Sequence, residues 1–187
     1  MTASQVSTIV VMGVAGCGKS TVAALLADRL GWELLEGDSL HPARNVERMS
    51  AGVPLDDADR APWLAAIADR VRDGAAVGKP LVVACSALAR RYRDVLRGKG
   101  VVFAHLSGTR ELLESRIAAR SGHFMKPGML DSQLRTLEPP QPDEAAVTVD
   151  IAAEPEAIVT GILSELGLME AAAWRPAGPA RWARRDP

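Results

Sequence analysis

Apolar positions along the chain follow two alternating patterns. Short apolar runs rich in β-branched residues read as buried strands at 6–12, 32–36, 81–85, 101–106 and 147–151. Between them, apolar residues recur at helical spacing over 21–30, 44–50, about 57–72, 88–97, 110–120, about 130–137 and 155–166. Asp56 or Asp57 is placed to cap the third helix, with Pro62 near its first turn, and Thr109 to cap the fifth. Strand and helix alternate down the chain, which predicts an α/β domain with a parallel sheet and helices on both faces.

The pattern fails twice. Residues 121–128 are small and polar between two helical stretches. Beyond 169 the chain is rich in Ala, Pro, Arg and Trp and has no apolar period. We therefore expect one domain over 1–169 and a flexible, solvated tail over 170–187.

Charge and composition narrow the function classes. Lysine and arginine number 22 against 23 acids, a formal net charge of −1, so no overall field recruits nucleic acid or an acidic membrane surface. Aromatics make up only 4% of residues, leaving little material for stacking bases. No apolar run is long enough to span a bilayer, and no basic, cleavable leader is visible. The two cysteines, Cys17 and Cys85, are far apart and outside any C-x-x-C pair, which fits a reducing compartment rather than a disulfide or zinc scaffold. A cytoplasmic protein is the expectation.

The most specific signal joins the first strand to the first helix. Gly13-Val14-Ala15-Gly16-Cys17-Gly18-Lys19-Ser20 fits G-x-x-x-x-G-K-[ST], and strand, glycine-rich turn and helix is the context this pattern needs. Such a loop turns backbone N–H groups of residues 13–21, through Thr21, onto a phosphate at a helix N-terminus. Lys19 is expected at the β- and γ-phosphates of a nucleoside triphosphate, and the Ser20 hydroxyl on Mg²⁺. Cys17, just before the helix start, is either a redox-sensitive thiol or simply a small residue filling the loop.

Residues beyond the loop narrow the use made of the phosphate. The guanine-reading N-K-x-D is missing, and the central strand ends Ala84-Cys85-Ser86 rather than in the acidic pair of a motor ATPase. An acid appears instead after the second strand, at Asp38. A carboxylate at that strand end can orient an attacking hydroxyl or hold a water of the Mg²⁺ shell. It can equally be a turn aspartate, since Gly37-Asp38-Ser39 is good turn chemistry.

Several blocks together carry a resemblance. Gly37-Asp38-Ser39-Leu40-His41-Pro42, Arg44-Asn45, Met49 to Leu55 and Asp59-Arg60-Ala61-Pro62-Trp63-Leu64 precede Cys85-Ser86-Ala87-Leu88 and Arg91 to Arg97. Arg116 with Arg120, Gly122 to Met125, and Leu130 through Gln133 to Glu138 complete the set. From about Ile9 to Leu166 the chain resembles the gluconokinases. The resemblance implies a three-layer P-loop kinase fold with a five-stranded parallel sheet, a helical substrate-binding segment and a lid at about 116–137. It further implies ATP- and Mg²⁺-dependent phosphorylation of D-gluconate at its terminal hydroxyl, giving 6-phosphogluconate, by a protein that is commonly a homodimer. A kinase of shikimate or another sugar acid, and a nucleotide-binding protein without catalysis, are the alternatives.

Under this resemblance Asp38 and Lys19 are catalytic, and Arg116 and Arg120, four apart on one helix, are lid arginines that meet the transferring phosphoryl group. Arg44, Arg48, Arg91 and Arg93 are the cations available for the substrate carboxylate. Asp38, His41 and Ser86 face its hydroxyls, and His123 and Lys126-Pro127 cover it from the lid. Glu138-Pro139-Pro140 is a candidate backbone reader of adenine. One departure stands out: where the family pattern has Lys after Cys-Ser-Ala-Leu, this chain has Ala89, so Arg90 or Arg91 must reach back or the lysine is dispensable.

Overall fold

The computed structural model describes residues 6–119 and 128–169. Five strands, β1 (Thr8–Met12), β2 (Glu33–Glu36), β3 (Leu81–Ala84), β4 (Val101–Ser107) and β5 (Ala146–Asp150), pair in the order β2-β3-β1-β4-β5. Every pairing is parallel, with Val10 beside Val83 on one side and Phe103 on the other. Each strand lies within a residue or two of its sequence expectation, as does each helix start.

Helices cover both faces because the strands are apolar on both. Ile9 and Val11 of β1 pack with α1 (Lys19–Leu30), α5 (Arg110–Ala118), α6 (Met129–Thr136) and α7 (Pro155–Glu165), through residues such as Leu26, Leu113, Leu130 and Ile162. Val10 and Met12, one residue out of phase, pack with α3 (Asp57–Ala76) and α4 (Arg90–Leu96) through Trp63, Ile67, Tyr92 and Leu96. A short α2 (Ala43–Ser50) precedes α3. At about 25 cal/mol per Å² of apolar surface removed from water, these two clusters are the main stabilising term of the domain.

Local signals decide the ends. Asp56 caps α3: its carboxylate accepts from Asp59 N–H (2.8 Å) while Asp59 accepts from Asp56 N–H (3.2 Å), a reciprocal capping box. Thr109 caps α5 by accepting from Leu112 N–H. Two details differ from expectation. Pro62 sits in the second turn of α3, and that helix runs on to Ala76. After β2 the chain tightens into a 3₁₀ turn, Gly37–Leu40, which apolar periodicity does not encode.

The strand order places the functional loops. The connection from β1 runs to β2 on one side of it and the connection from β3 crosses to β4 on the other, so the winding reverses at β1 and opens a crevice beyond the strands' carboxyl ends. The phosphate loop follows β1, Asp38 follows β2 and Ser86 follows β3, so three separate segments meet at one rim. Among the described residues no helix is long and apolar enough to cross a membrane. The expected tail and most of the expected lid's first half, including Arg120, His123 and Lys126, lie outside the described residues.

Candidate active site

The phosphate loop has the backbone its glycines were expected to allow. Gly13, Gly16 and Gly18 have φ of 141°, 82° and 93°, a region that costs other residues strain. Gly16 is required sterically as well: a Cβ there would lie 2.8 Å from Ile117 Cγ1 and 2.9 Å from Leu113 O on α5. Lys19 Nζ donates to Val14 O (3.0 Å), folding over the loop, and Gly13 N–H donates to Ser86 O (3.3 Å), tying the loop to the end of β3. The Cys17 side chain is buried in the core below the loop, so of its two readings the small packing residue fits the structure. Burial pushes the Cys85 thiol up to about 12.

A cleft of about 320 Å³ opens beside this loop. Ala15, Gly16, Gly18, Lys19 and Ser20 line it together with Asp38, His41 and Ser86, and Met129, Ser132 and Gln133 of α6 add a further side. Two more lining residues, Arg60 and Trp63, come from α3. Asp38 reaches the cleft because the 3₁₀ turn sits tightly on the sheet. Gly37 is buried there, a Cβ on it would lie 2.7 Å from Ala84 O, and Trp63 Nε1 donates to Gly37 O (2.7 Å). The Ser20 hydroxyl donates to Glu36 Oε2 (3.1 Å), which brings a second carboxylate to the Ser20 edge of the loop.

His41 forms part of the cleft wall. Its ring stacks on Trp63 with centroids 4.2 Å apart and planes 12° from parallel. Burial holds this imidazole below its ordinary value of 6.5; the Asp38 carboxylate acts to raise it again and the Arg60 guanidinium to lower it. Its Nδ1 is buried and has no hydrogen-bond partner among the described residues. A buried polar atom left open in a cleft wall is one that a ligand hydroxyl can satisfy.

The arginines nominated from the sequence do not gather in the cleft. Arg93 is fully buried: its guanidinium pairs with Glu144 (2.6 and 2.8 Å) and donates to Ala87 O and Leu88 O. It therefore holds the loop that carries Ser86, rather than a ligand. Arg91 clamps Asp57 through two hydrogen bonds (2.9 and 3.1 Å) on the surface. Arg90 pairs with Asp143, so neither reaches back to replace the lysine missing at Ala89, which is itself buried. Arg44 is exposed on α2 and is not part of the cleft lining. Arg48 pairs with Asp59 (3.4 Å) and braces Pro54 of the cleft-lining loop.

Arg116 also takes a different place. It donates to Ile151 O (2.7 Å) and lines a groove of about 260 Å³ with Gly16, Gly18, Thr21, Pro155 and Ile158, on the α7 side of the phosphate loop. Glu138 donates its N–H to Leu88 O and accepts from Arg90 N–H (2.7 Å), which caps α4 and commits this segment to α4.

Sequence reasoning missed Arg60, Trp63, Glu36 and Gln133 as site residues. Arg60 had a readable signal: it continues the core-facing stripe of Trp63, Leu64 and Ile67 at three- and four-residue spacing, where a cation is out of place unless used. Gln133 stood in a recognised block, but nothing in the sequence ties it to its partner, Ala15 N–H at 2.6 Å, which lies 118 residues away.

Comparison with known proteins fixes the family. Residues 9–140 match the family model described as an AAA domain. The chain is 48% identical over 157 residues to gluconokinase from Gluconobacter oxydans (strain 621H), covering 83% of this chain and 88% of that protein. It is 44% identical over 157 residues to thermoresistant gluconokinase from Escherichia coli (strain K12), covering 82% and 90%. Among solved structures, a gluconokinase from Sinorhizobium meliloti 1021 superposes with a TM-score of 0.79 at 45% identity, covering 86% of this chain and 91% of that one. The chain belongs to the gluconokinase family. A sugar kinase from Janibacter sp. HTCC2649 superposes with a TM-score of 0.84 at 42% identity, covering 89% and 98%. In this member of the gluconokinase family β3 runs into Cys85-Ser86, so the matched domain carries its acids at Glu36 and Asp38, one strand over.

Proposed function

We propose that the protein transfers the γ-phosphoryl group of ATP to the terminal hydroxyl of D-gluconate, giving 6-phospho-D-gluconate and ADP. The observation that carries this reading is the shared cleft: phosphate loop, Asp38, His41 and Ser86 line one space, in a chain nearly half identical to a gluconokinase. The alternatives of a shikimate kinase or a non-catalytic binder have no observation in their favour.

In this reading Asp38 accepts the proton of the attacking hydroxyl while that oxygen bonds to the γ-phosphorus and the bond to the β–γ bridging oxygen breaks. Lys19 swings from Val14 O to the phosphates, and its charge offsets the negative charge that gathers in the transition state. The N–H groups at Gly16 and Gly18 and the α1 N-terminus hold the phosphates. Gln133, with its carbonyl oxygen committed to Ala15 N–H, presents its amide NH₂ as a donor to the cleft. His41 Nδ1 and the Ser86 hydroxyl take acceptor hydroxyls. The groove beside Thr21 and Pro155 takes the base and ribose, with Arg116 against the base; Arg120 remains the proposed lid arginine for the phosphoryl group.

The donor set also suits Mg²⁺, a cation that prefers oxygen ligands and keeps several of its waters. The Ser20 hydroxyl, with Glu36 and Asp38 nearby, would hold Mg²⁺, which when bound neutralises phosphate charge.

A coupled ADP-release assay over D-gluconate, other sugar acids, shikimate and nucleoside monophosphates tests the reading. ADP release that depends on gluconate is the expected result. Turnover of shikimate without gluconate, or release independent of any acceptor, would overturn it.

A further inference from the structure

The acceptor is an acid, yet the four arginines nominated from the sequence are committed elsewhere or lie outside the cleft. Among the described residues lining it, two carry permanent positive charge, Lys19 and Arg60. Lys19 belongs to the phosphate loop. Arg60 is half-buried and makes no ion pair among the described residues, whereas Arg48, Arg90, Arg91 and Arg93 are all neutralised. Asp57, the carboxylate whose charge acts on Arg60, is clamped by Arg91 and Tyr92, so Arg60 is a half-buried guanidinium with no ion pair of its own, facing a cleft, and such a group is a site for an anion.

We infer that Arg60 binds the carboxylate of the acceptor and sets selectivity for a sugar acid over an uncharged polyol. Its orientation is built. The Tyr92 hydroxyl donates to Asp57 Oδ1 (2.5 Å), and Arg91 holds the same carboxylate by two bonds. With its hydrogen committed, the Tyr92 oxygen accepts from Arg60 Nη1 (3.2 Å), and the guanidinium lies 5.4 Å from the Tyr92 ring centre. One of the five guanidinium N–H groups is used in this way, leaving a fork for a carboxylate.

The same placement sets the direction in which the acceptor lies. His41 feels both Asp38 and Arg60, so the three groups share one stretch of the cleft. The Asp38 carboxylate repels an acid end and Arg60 attracts it. The acceptor therefore runs across the His41–Trp63 wall with its carboxylate at Arg60 and its far hydroxyl at Asp38. This polarity chooses the hydroxyl at the opposite end of the chain from the acid.

The assignment rests on the gluconate reading, which turnover by the unaltered protein tests separately. Arg60→Gln is compared with the unaltered protein for KM of D-gluconate, KM of ATP, and inhibition by D-glucitol, which has a like chain without the acid. We expect the gluconate KM to rise about 100-fold, the size of a lost charge-assisted hydrogen-bond pair. The ATP KM and the glucitol inhibition constant stay near their original values, and Arg60→Lys recovers part of the loss. An unchanged gluconate KM would overturn the assignment. So would a parallel loss of gluconate and glucitol binding, the mark of a merely structural role. If Arg60→Gln no longer binds ATP, Arg60→Lys decides alone: its gluconate KM must rise while its glucitol inhibition does not.

Discussion

Asp38→Asn lowers kcat with gluconate by a factor on the order of 10² to 10⁴, the range that positioned general bases supply. The substitution keeps the size and hydrogen-bonding reach of the side chain and removes its ability to take a proton. The 3₁₀ turn should survive it, because that turn is held through Gly37, Trp63 Nε1 and the Ser39 hydroxyl bond to Glu36 O, none of which uses the Asp38 carboxylate. The KM for ATP should change little, since in the proposed reading the triphosphate is held by the loop backbone, Lys19 and Ser20. Steady-state kinetics over a range of Mg²⁺ concentrations measure both quantities. If raising Mg²⁺ restores the rate, Asp38 serves the metal shell instead, and a normal kcat removes it from the chemistry altogether.

Glu144→Gln costs about 3–5 kcal/mol of stability, the usual result of breaking a buried ion pair from one side. The pair is closed to solvent, with the Arg93 and Glu144 side chains 1% and 3% exposed. The variant leaves a buried guanidinium with no anionic partner, held only by the Ala87 and Leu88 carbonyls and one neutral amide oxygen. Urea unfolding measures the loss. Replacing both residues with apolar ones of similar volume should recover much of it, because desolvating the pair offsets most of its attraction. The pair also has a pH signature. The Arg93 hydrogen bonds hold the Glu144 carboxyl below its ordinary 4.5, so the folded state takes up this proton less readily than the unfolded chain. Its stabilisation is full above pH 4.5 and is lost as pH falls through the lower folded-state value. Glu144→Gln removes that part of the acid slope, and an unaltered slope in the variant would contradict the role given to the pair.

These two residues also mark how far the sequence could be read. Asp38 was legible because strand ends in a parallel sheet point at one crevice, and a phosphate loop says which crevice. The inner strands β1, β3 and β4 were legible because a strand buried on both faces leaves an unbroken apolar run. Arg93 was not legible as a core residue: its charge argues for a ligand or for solvent, and its partner Glu144 lies 51 residues away. Arg91 was misplaced for the same reason, with Asp57 34 residues away. A lone sequence shows that a charge exists and not what neutralises it. Arg60 stood in a recognised block and on the core-facing stripe of α3, yet its availability showed only once its neighbouring arginines were seen to be taken. Arg116 lies on the helix expected of it, but the rotation of α5 turns it to the α7 side.

The Ser86 loop joins the buried pair to the cleft. Ala87 adopts φ 41°, a left-handed conformation costly for a residue with a Cβ. Arg93 holds Ala87 O and Leu88 O, and Ser86 O holds Gly13 N–H. The pair thus keeps a strained loop in the form that lines the cleft, linking the stability of the fold to the shape of the site.

Phosphorus NMR of the product formed from ATP and D-gluconate decides both whether the phosphoryl group is transferred and to which oxygen. One new phosphate ester is expected, its phosphorus coupled to the two protons of a methylene carbon, the signature of transfer to the terminal hydroxyl. Inorganic phosphate alone, or an ester coupled to a single methine proton, would contradict the proposed reaction.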